Sequence, residues 1–369
     1  MADGFLLGHV LLRFQHHIER ILNDLSAVAR TPDGHLWVGT DEGLTIERRS
    51  PVTPYEYGHH QSFAISDFVE PFDHEDEADI EGLDYAAPYL WFTGSHSLKR
   101  KKPKKRQADD EAIEQLEAIK PEPNRYLLGR IPVVEGDLVA SHHPGALSGE
   151  PVRAGCLEKT ATSNILTKAL EQDEHLKPFM ALPSKDNGLD IEGLAVRDNR
   201  IFLGLRGPVL RGWAMILEVV VAEKAPSVLT LQDLDGMGRL LQKHFLDLDG
   251  LGVRDLCWLE DDLLVLVGPT MTLDGATRVY RFLNAFNHPA DSLSRQENEE
   301  VRLVCDLPVK PGSDRAEGLA CVTSLDQPSL LVLYDAPHQS RILGDNAIFA
   351  DIFRLPYAGV DVVLPSDKH

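Results

Sequence analysis

The chain has 369 residues, 43% hydrophobic and 26% charged, with a formal net charge of −21. The composition is that of an ordinary globular protein, and the length exceeds one ordinary core, so two domains or one large closed or repetitive architecture is expected. The acidic excess argues against nucleic acid or an anionic membrane as a bulk partner, and no apolar run reaches the roughly 20 residues of a membrane span.

The chain opens on "MADGFLLGHVLLRF", which lacks a basic n-region and a small-residue cleavage site. That points to a cytosolic protein. A strand, "GHVLLRFQ", follows. Next comes "DLSAVAR" from Asp24, then the strands "HLWVGTD" (35–41), "LTIERR" and "SFAISDFVEPF". The same order recurs from Asp79: "DIEGLDY", "YLWFTGSH" (89–96), "RYLLGRIPVV" and "KPFMALPS". From Asp190 it reads "DIEGLAV", "RIFLGLRG" (200–207), "WAMILEVVV" and "KHFLDLD"; from Val253 "VRDLCWL", "DLLVLVGP" (262–269), "RVYRFL" and "VRLVCDLP". The last copy, "RAEGLACV" from Arg315, is followed by "SLLVLYDAP" (329–337) and "AIFADIFRL", and then strands run out.

Four copies thus carry four strands and the fifth carries three. The N-terminal strand is free to complete the fifth. That is how a β-propeller closes its ring, and near-continuous apolar strands suit blades buried on both faces. The fold class expected is all-β, a single propeller domain over 1–369 with five blades, six being the alternative. The alternative arises because 111 residues separate Glu81 from Glu192, against 55 to 63 elsewhere. Insertions at 98–123 and 135–176 account for the gap. The first is charged and partly helical. The second contains "TSNILTKALEQDEHL" (162–176), whose polar start and apolar spacing predict a short capped helix. Residues 357–369 read as a C-terminal tail.

Aligned on the Glu of EGL, the copies present Ser26, Glu81, Glu192, Asp255 and Glu317. Two residues earlier stand Asp24, Asp79, Asp190, Val253 and Arg315. In a propeller these positions converge on the channel mouth. Unit charges about 7 Å apart at an effective dielectric near 20 repel by roughly 2–3 kcal/mol, so something must offset them. One reading is a divalent cation (Ca²⁺, Mg²⁺ or Mn²⁺) on Glu81, Glu192, Asp255, Glu317, Asp79 and Asp190, since hard ions take oxygen ligands from several loops. The other is a latch: each carboxylate accepts backbone N–H groups of the neighbouring blade, and Arg254 and Arg315 neutralise the excess.

The loops sharing that mouth carry His96, Lys99 and Arg206, followed by the one strongly basic run, "LKRKKPKKR" (98–106). With a metal, His96 would serve as general acid or base while Arg206 and Lys99 hold a phosphate. The basic run also reads as a solvated loop. The His pairs 16–17, 59–60 and 142–143 fall in loops or at strand ends, and there is no HExxH, P-loop, dinucleotide fingerprint or GxSxG. "DLDGLGVRD" (247–255) lacks the later ligands of a calcium loop and reads as a turn. The four cysteines form no CxxC pair, and Cys257 and Cys321, in apolar strands, read as reduced core thiols.

"DIEGLDY", "YLWFTGSHSLKRKK" and "NGLDIEGLAVRDNRIFLGLRGPVLRGWAMILEV" together resemble a bacterial domain-of-unknown-function family, DUF3616, over roughly residues 20–356. The D-x-E-G-L step is more loosely similar to esterase-like phytase propellers. That likeness implies phosphoester chemistry at Asp79, Glu81, Asp190, Glu192 and Glu317. Ser26, Asp255 without its Gly, and Arg315 depart from the pattern. The function expected is therefore a metal-dependent phosphoester hydrolase acting on a small phosphorylated ligand. The competing expectation is a non-catalytic binding or scaffold propeller that engages a partner protein.

Overall fold

The computed structural model describes residues 5–355, apart from 16–18, 42, 75, 104–105, 144–149, 161, 272–273 and 325–326. The tail at 357–369, the His16–His17 pair and part of the basic run lie outside the described residues.

Antiparallel four-stranded units recur along the chain. The first runs outward through Leu25–Arg30, Leu36–Thr40, Thr45–Thr53 and Glu56–Ala64. The second uses Ile80–Ala86, Tyr89–Gly94, Leu128–Val134 and the short Gly155–Leu157. Then come Asp190–Arg197, Arg200–Gly207, Trp213–Ala225 and Gln242–Asp247. Another unit is built from Gly252–Leu259, Asp262–Gly268, Arg278–Phe282 and Val301–Asp306. The last is Arg315–Ser324, Gln327–Asp335 and Ala347–Arg354, completed by Leu6–Arg13, which pairs antiparallel with Ala347–Arg354. The N-terminal strand therefore closes the ring, and through Leu11 and Leu12 it also runs parallel to the outer strand of the first unit.

Each innermost strand lies against the next, and Arg315–Ser324 lies against Leu25–Arg30, so the architecture is an all-β propeller. The second strands are apolar along their middles because both sheet faces are covered; Leu36, Trp37 and Val38 are fully buried, as are Ile201, Phe202 and Leu203. The hydrophobic cores fill the seams between units. Trp37 and Phe63 of the first unit pack with Ile80, Leu83 and Phe92 of the second. Phe202 and Ile216 pack with Leu256, Val265 and Tyr280 across a later seam. The Gly of EGL serves this closeness: a Cβ on Gly82 would stand 2.6 Å from Leu194 Cβ, and one on Gly193 would stand 2.8 Å from Leu256 Cγ.

The outer strand of the second unit is not where the sequence placed it. "KPFMALPS" forms a 3₁₀ turn, Lys177–Phe179, and Gly155–Leu157 takes the strand position. Pro178 and Pro183 each lack the N–H that a strand ladder needs. The expected helix at 162–176 is present as Ile165–Gln172, capped by Asn164, whose side-chain oxygen accepts the Thr167 N–H at 2.9 Å. Its Leu166 and Leu170 enter the neighbouring core. Within 98–123, the helix Asp109–Glu117 sits on a two-residue hairpin, Lys99–Arg100 with Ile119–Lys120. No described helix is long and apolar enough to cross a membrane.

Candidate functional site

Every innermost strand breaks register with its neighbour at the same level. The breaks fall between Leu25 and Ala27, Ile80 and Gly82, Ile191 and Gly193, Val253 and Asp255, and Ala316 and Gly318. A bulge leaves one residue out of the ladder and re-aims its side chain. The residues so displaced are Ser26, Glu81, Glu192, Arg254 and Glu317. The fourth copy is thus one position out of the expected alignment. Arg254, not Asp255, takes the Glu position, and Asp255 aligns with the Gly of EGL.

The four charged bulge residues line a cavity of about 200 Å³ together with Asp79, Asp190, Arg206, Arg125 and Lys99. The arginines neutralise most of the acids. Arg206 pairs with Asp190 and, at 2.6 Å, with Glu192 Oε1. Arg254 Nη1 lies 3.2 Å from Glu192 Oε2 and 2.7 Å from Glu317 Oε1. Arg125 holds Asp79 at 2.9 Å and Glu122 at 2.8 Å. The Ser26 hydroxyl donates to the Ile80 carbonyl. Among the described residues, Glu81 has no hydrogen-bond or ion-pair partner.

The electrostatics follow from this pairing. Burial, and then repulsion from Asp79, Glu192 and Glu317, holds the Glu81 carboxyl well above the usual range. Glu317 is raised by burial and by Asp335, against the pull of Arg254. Burial takes Asp190 up to about 7 although Arg206 opposes it. Arg206 is held firmly charged, its burial outweighed by Asp190 and Glu192.

The structure therefore gathers Asp79, Glu81, Asp190, Glu192, Glu317, Arg206 and Lys99 in one cavity. His96 and Asp255 stand elsewhere. His96 is 2% exposed. Its Nδ1–H donates to the Gly94 carbonyl at 2.9 Å and its Nε2 accepts the Asn164 amide at 2.9 Å. Burial lowers it to about 4, so the ring is neutral and both nitrogens are engaged, which leaves no proton to exchange with a ligand. Its role is to fix the corner after Tyr89–Gly94.

Asp255 is fully buried and latches two units: Oδ2 accepts the Leu319 N–H at 2.7 Å and Oδ1 the Leu256 N–H at 2.8 Å. Asp84 repeats the device two seams away, between the second and third units, accepting Val196 N–H at 2.6 Å and Tyr85 N–H at 2.8 Å. Asp255→Ala leaves those N–H groups unsatisfied and costs about 2 kcal/mol. The check is a lower urea midpoint at unchanged m-value.

Arg125 was not legible as a site residue. It follows a Pro in "KPEPNRY", far in sequence from Asp79, and only the turn Pro123–Tyr126 brings its side chain to the mouth. Among the described residues no three of His, Cys, Asp and Glu are grouped so as to hold a metal ion.

No curated protein matches the chain. Among solved structures, α-L-arabinofuranosidase from Lactobacillus brevis is 10% identical, covering 97% of this chain and 95% of its own, with a TM-score of 0.44. A putative oxidoreductase (glucose dehydrogenase) from Thermus thermophilus is 12% identical over 94% of this chain and 100% of its own, with a TM-score of 0.39. Virginiamycin B lyase from Staphylococcus aureus is 9% identical over 94% and 99%, with a TM-score of 0.37. A family model described as "Protein of unknown function (DUF3616)" matches residues 24–351. The chain belongs to the DUF3616 family.

Proposed function

We propose that this protein is a cytosolic, five-bladed propeller that binds a small polar ligand at its channel mouth, with Glu81 as the principal contact. One observation carries the reading. Glu192 and Glu317 are occupied by arginines and Ser26 by a carbonyl, while Glu81 faces the cavity with no hydrogen-bond or ion-pair partner among the described residues. A raised carboxyl with no partner in contact is costly to the fold, even with Arg206 and Arg125 attracting it from a distance, and such costs concentrate where function needs them. Glu81 offers a proton to a ligand acceptor or, ionised, takes hydrogen bonds from a hydroxyl or ammonium group. The cavity is smaller than that of a drug-sized ligand, so the ligand is compact, and its mainly polar lining favours polar molecules.

Metal-assisted phosphoester hydrolysis is the second reading. The convergence of Asp79, Glu81, Asp190, Glu192 and Glu317 favours it, with Lys99 and Arg206 beside them for a phosphate. Ca²⁺, Mg²⁺ or Mn²⁺ would supply Lewis acidity there. It ranks second because such an ion must compete with Arg206 and Arg254 for the same oxygens. In it Glu81, rather than His96, handles the proton.

Thermal melts with a panel of compact polyols, amines, phosphate esters and the three ions test both readings. A ligand at about a hundred times its Kd stabilises the fold by about 2.7 kcal/mol. The expected result is a compound that raises the melting temperature of the wild type and has no effect on Glu81→Gln, which stays folded. A shift that persists in Glu81→Gln overturns the assignment of Glu81. A shift by an ion alone moves hydrolysis into first place.

A further inference from the structure

Two of the four cysteines meet in the seam between the fourth and fifth units. Cys257 lies on Gly252–Leu259 and Cys321 on Arg315–Ser324, neighbouring innermost strands. The Cys321 N–H donates to Cys257 Sγ at 3.2 Å, so that sulfur rests on the backbone that carries the second thiol. Both thiols also reach one acceptor, the Trp258 carbonyl, at 3.7 Å from Cys257 Sγ and 3.5 Å from Cys321 Sγ. Both side chains are only partly buried, so a small reagent can approach.

The surrounding contacts fix this approach. The same strands are joined by Arg254 to Glu317 at 2.7 Å, then by the Leu319 N–H to Asp255 at 2.7 Å, and beyond these by Cys257 and Cys321. A disulfide needs two Cβ atoms within a few ångströms and no backbone rearrangement. Strands tied together at two levels, with one sulfur on its partner's backbone and both on one carbonyl, bring the two thiols side by side.

We propose that Cys257 and Cys321 are a reversible oxidation site, forming a disulfide that staples the fourth unit to the fifth. The oxidant is a low-molecular-weight disulfide such as oxidised glutathione. One cysteine thiolate attacks it, expelling one small thiol and leaving a mixed disulfide. The other cysteine's thiolate then attacks the protein sulfur of that bond, forming the Cys257–Cys321 bond and releasing the second small thiol. Two protons leave the cysteines and end on the two released thiols, and the small disulfide is reduced by two electrons. The neighbouring Cys321 thiol, and then burial, push Cys257 well above the usual thiol range. Thiolate is therefore scarce at neutral pH and the exchange is slow. Cys305 is buried in the outer strand of its unit, and Cys156 belongs to another sheet.

The test is to incubate the native protein with oxidised glutathione at mildly alkaline pH, alkylate the remaining thiols and map the peptides by mass. The expected product is one linked pair, Cys257 with Cys321, lighter by two hydrogens, with Cys156 and Cys305 alkylated. Closing the loop between two cysteines 64 residues apart raises the melting temperature by about 5 °C. Dithiothreitol reverses both changes, and Cys257→Ser abolishes them. A stable glutathione adduct without the link overturns the proposal. So does a link that involves Cys156 or Cys305, or no reaction in native protein whose urea-unfolded form reacts. The peptide map of the wild type decides even if the variant fails to fold.

Discussion

Replacing Glu192 with Ala lowers the unfolding free energy by about 3–5 kcal/mol, the range for breaking one side of a buried ion pair. Glu192 is buried and accepts from Arg206 on one oxygen and faces Arg254 on the other. Its loss leaves two buried guanidinium groups with fewer anions than they need. Arg206 keeps Asp190 and Arg254 keeps Glu317, so the ring loosens without emptying. The effect is read as a lower urea midpoint at constant m-value. The contrast with Glu81 makes the test sharp. Glu81 stands on the equivalent bulge with no partner among the described residues, so Glu81→Gln removes repulsion and leaves stability unchanged or higher. A loss below about 1 kcal/mol for Glu192→Ala, within the range of an exposed pair, would mean that water screens the mouth.

Stability falls as the pH rises from about 4 to 7. Asp84 is raised to about 7 by burial, against the N–H groups of Val196 and Tyr85. Asp190 is raised to about 7, and Glu81, Asp255 and Glu317 are also raised, burial leading in each. Unfolded carboxyls titrate near 4. Below that value both states are protonated and the folded state keeps its full benefit. As the pH climbs past 4 the unfolded chain releases protons that the folded chain retains. Because the folded state then binds more protons, stability declines until the folded groups have titrated. The total change is on the order of 3 kcal/mol, well below the simple sum of the shifts at about 1.4 kcal/mol per pH unit, because the groups interact.

Asp351 opposes this at the acid end. It is buried, but Arg341 holds it below the usual range, so its contribution is lost as the pH falls through its folded value. The optimum therefore sits near pH 4. Melting temperature against pH measures the profile, and Asp84→Asn flattens its alkaline limb. A melting temperature that climbs between about pH 4 and 7 would show these carboxyls ionised in the folded protein.

The repeated strands were legible in the sequence because each is a local apolar run flanked by turns. The missing strand of the last unit, and its replacement by "GHVLLRFQ", could be counted without knowing any contact. The capped helix after Asn164 was equally local. "KPFMALPS" misled because its apolar residues outweighed two prolines, while the strand used, Gly155–Leu157, is too short to show a period.

The sequence by itself determined that acids recur at the channel-lining step. Only the tertiary structure decided what they do, because partners chosen in space, not positions along the chain, set each one's role. In the fourth copy the bulge common to all five falls on Arg254, one residue before the acid expected there, and Asp255 is left to latch onto Leu319. Pairing was also beyond the sequence: Arg125 reaches Asp79, and Arg254 reaches Glu317, across separations of 46 and 63 residues. Charges that look unbalanced along the chain are balanced in space, and Glu81 stands out only once its neighbours have found their partners.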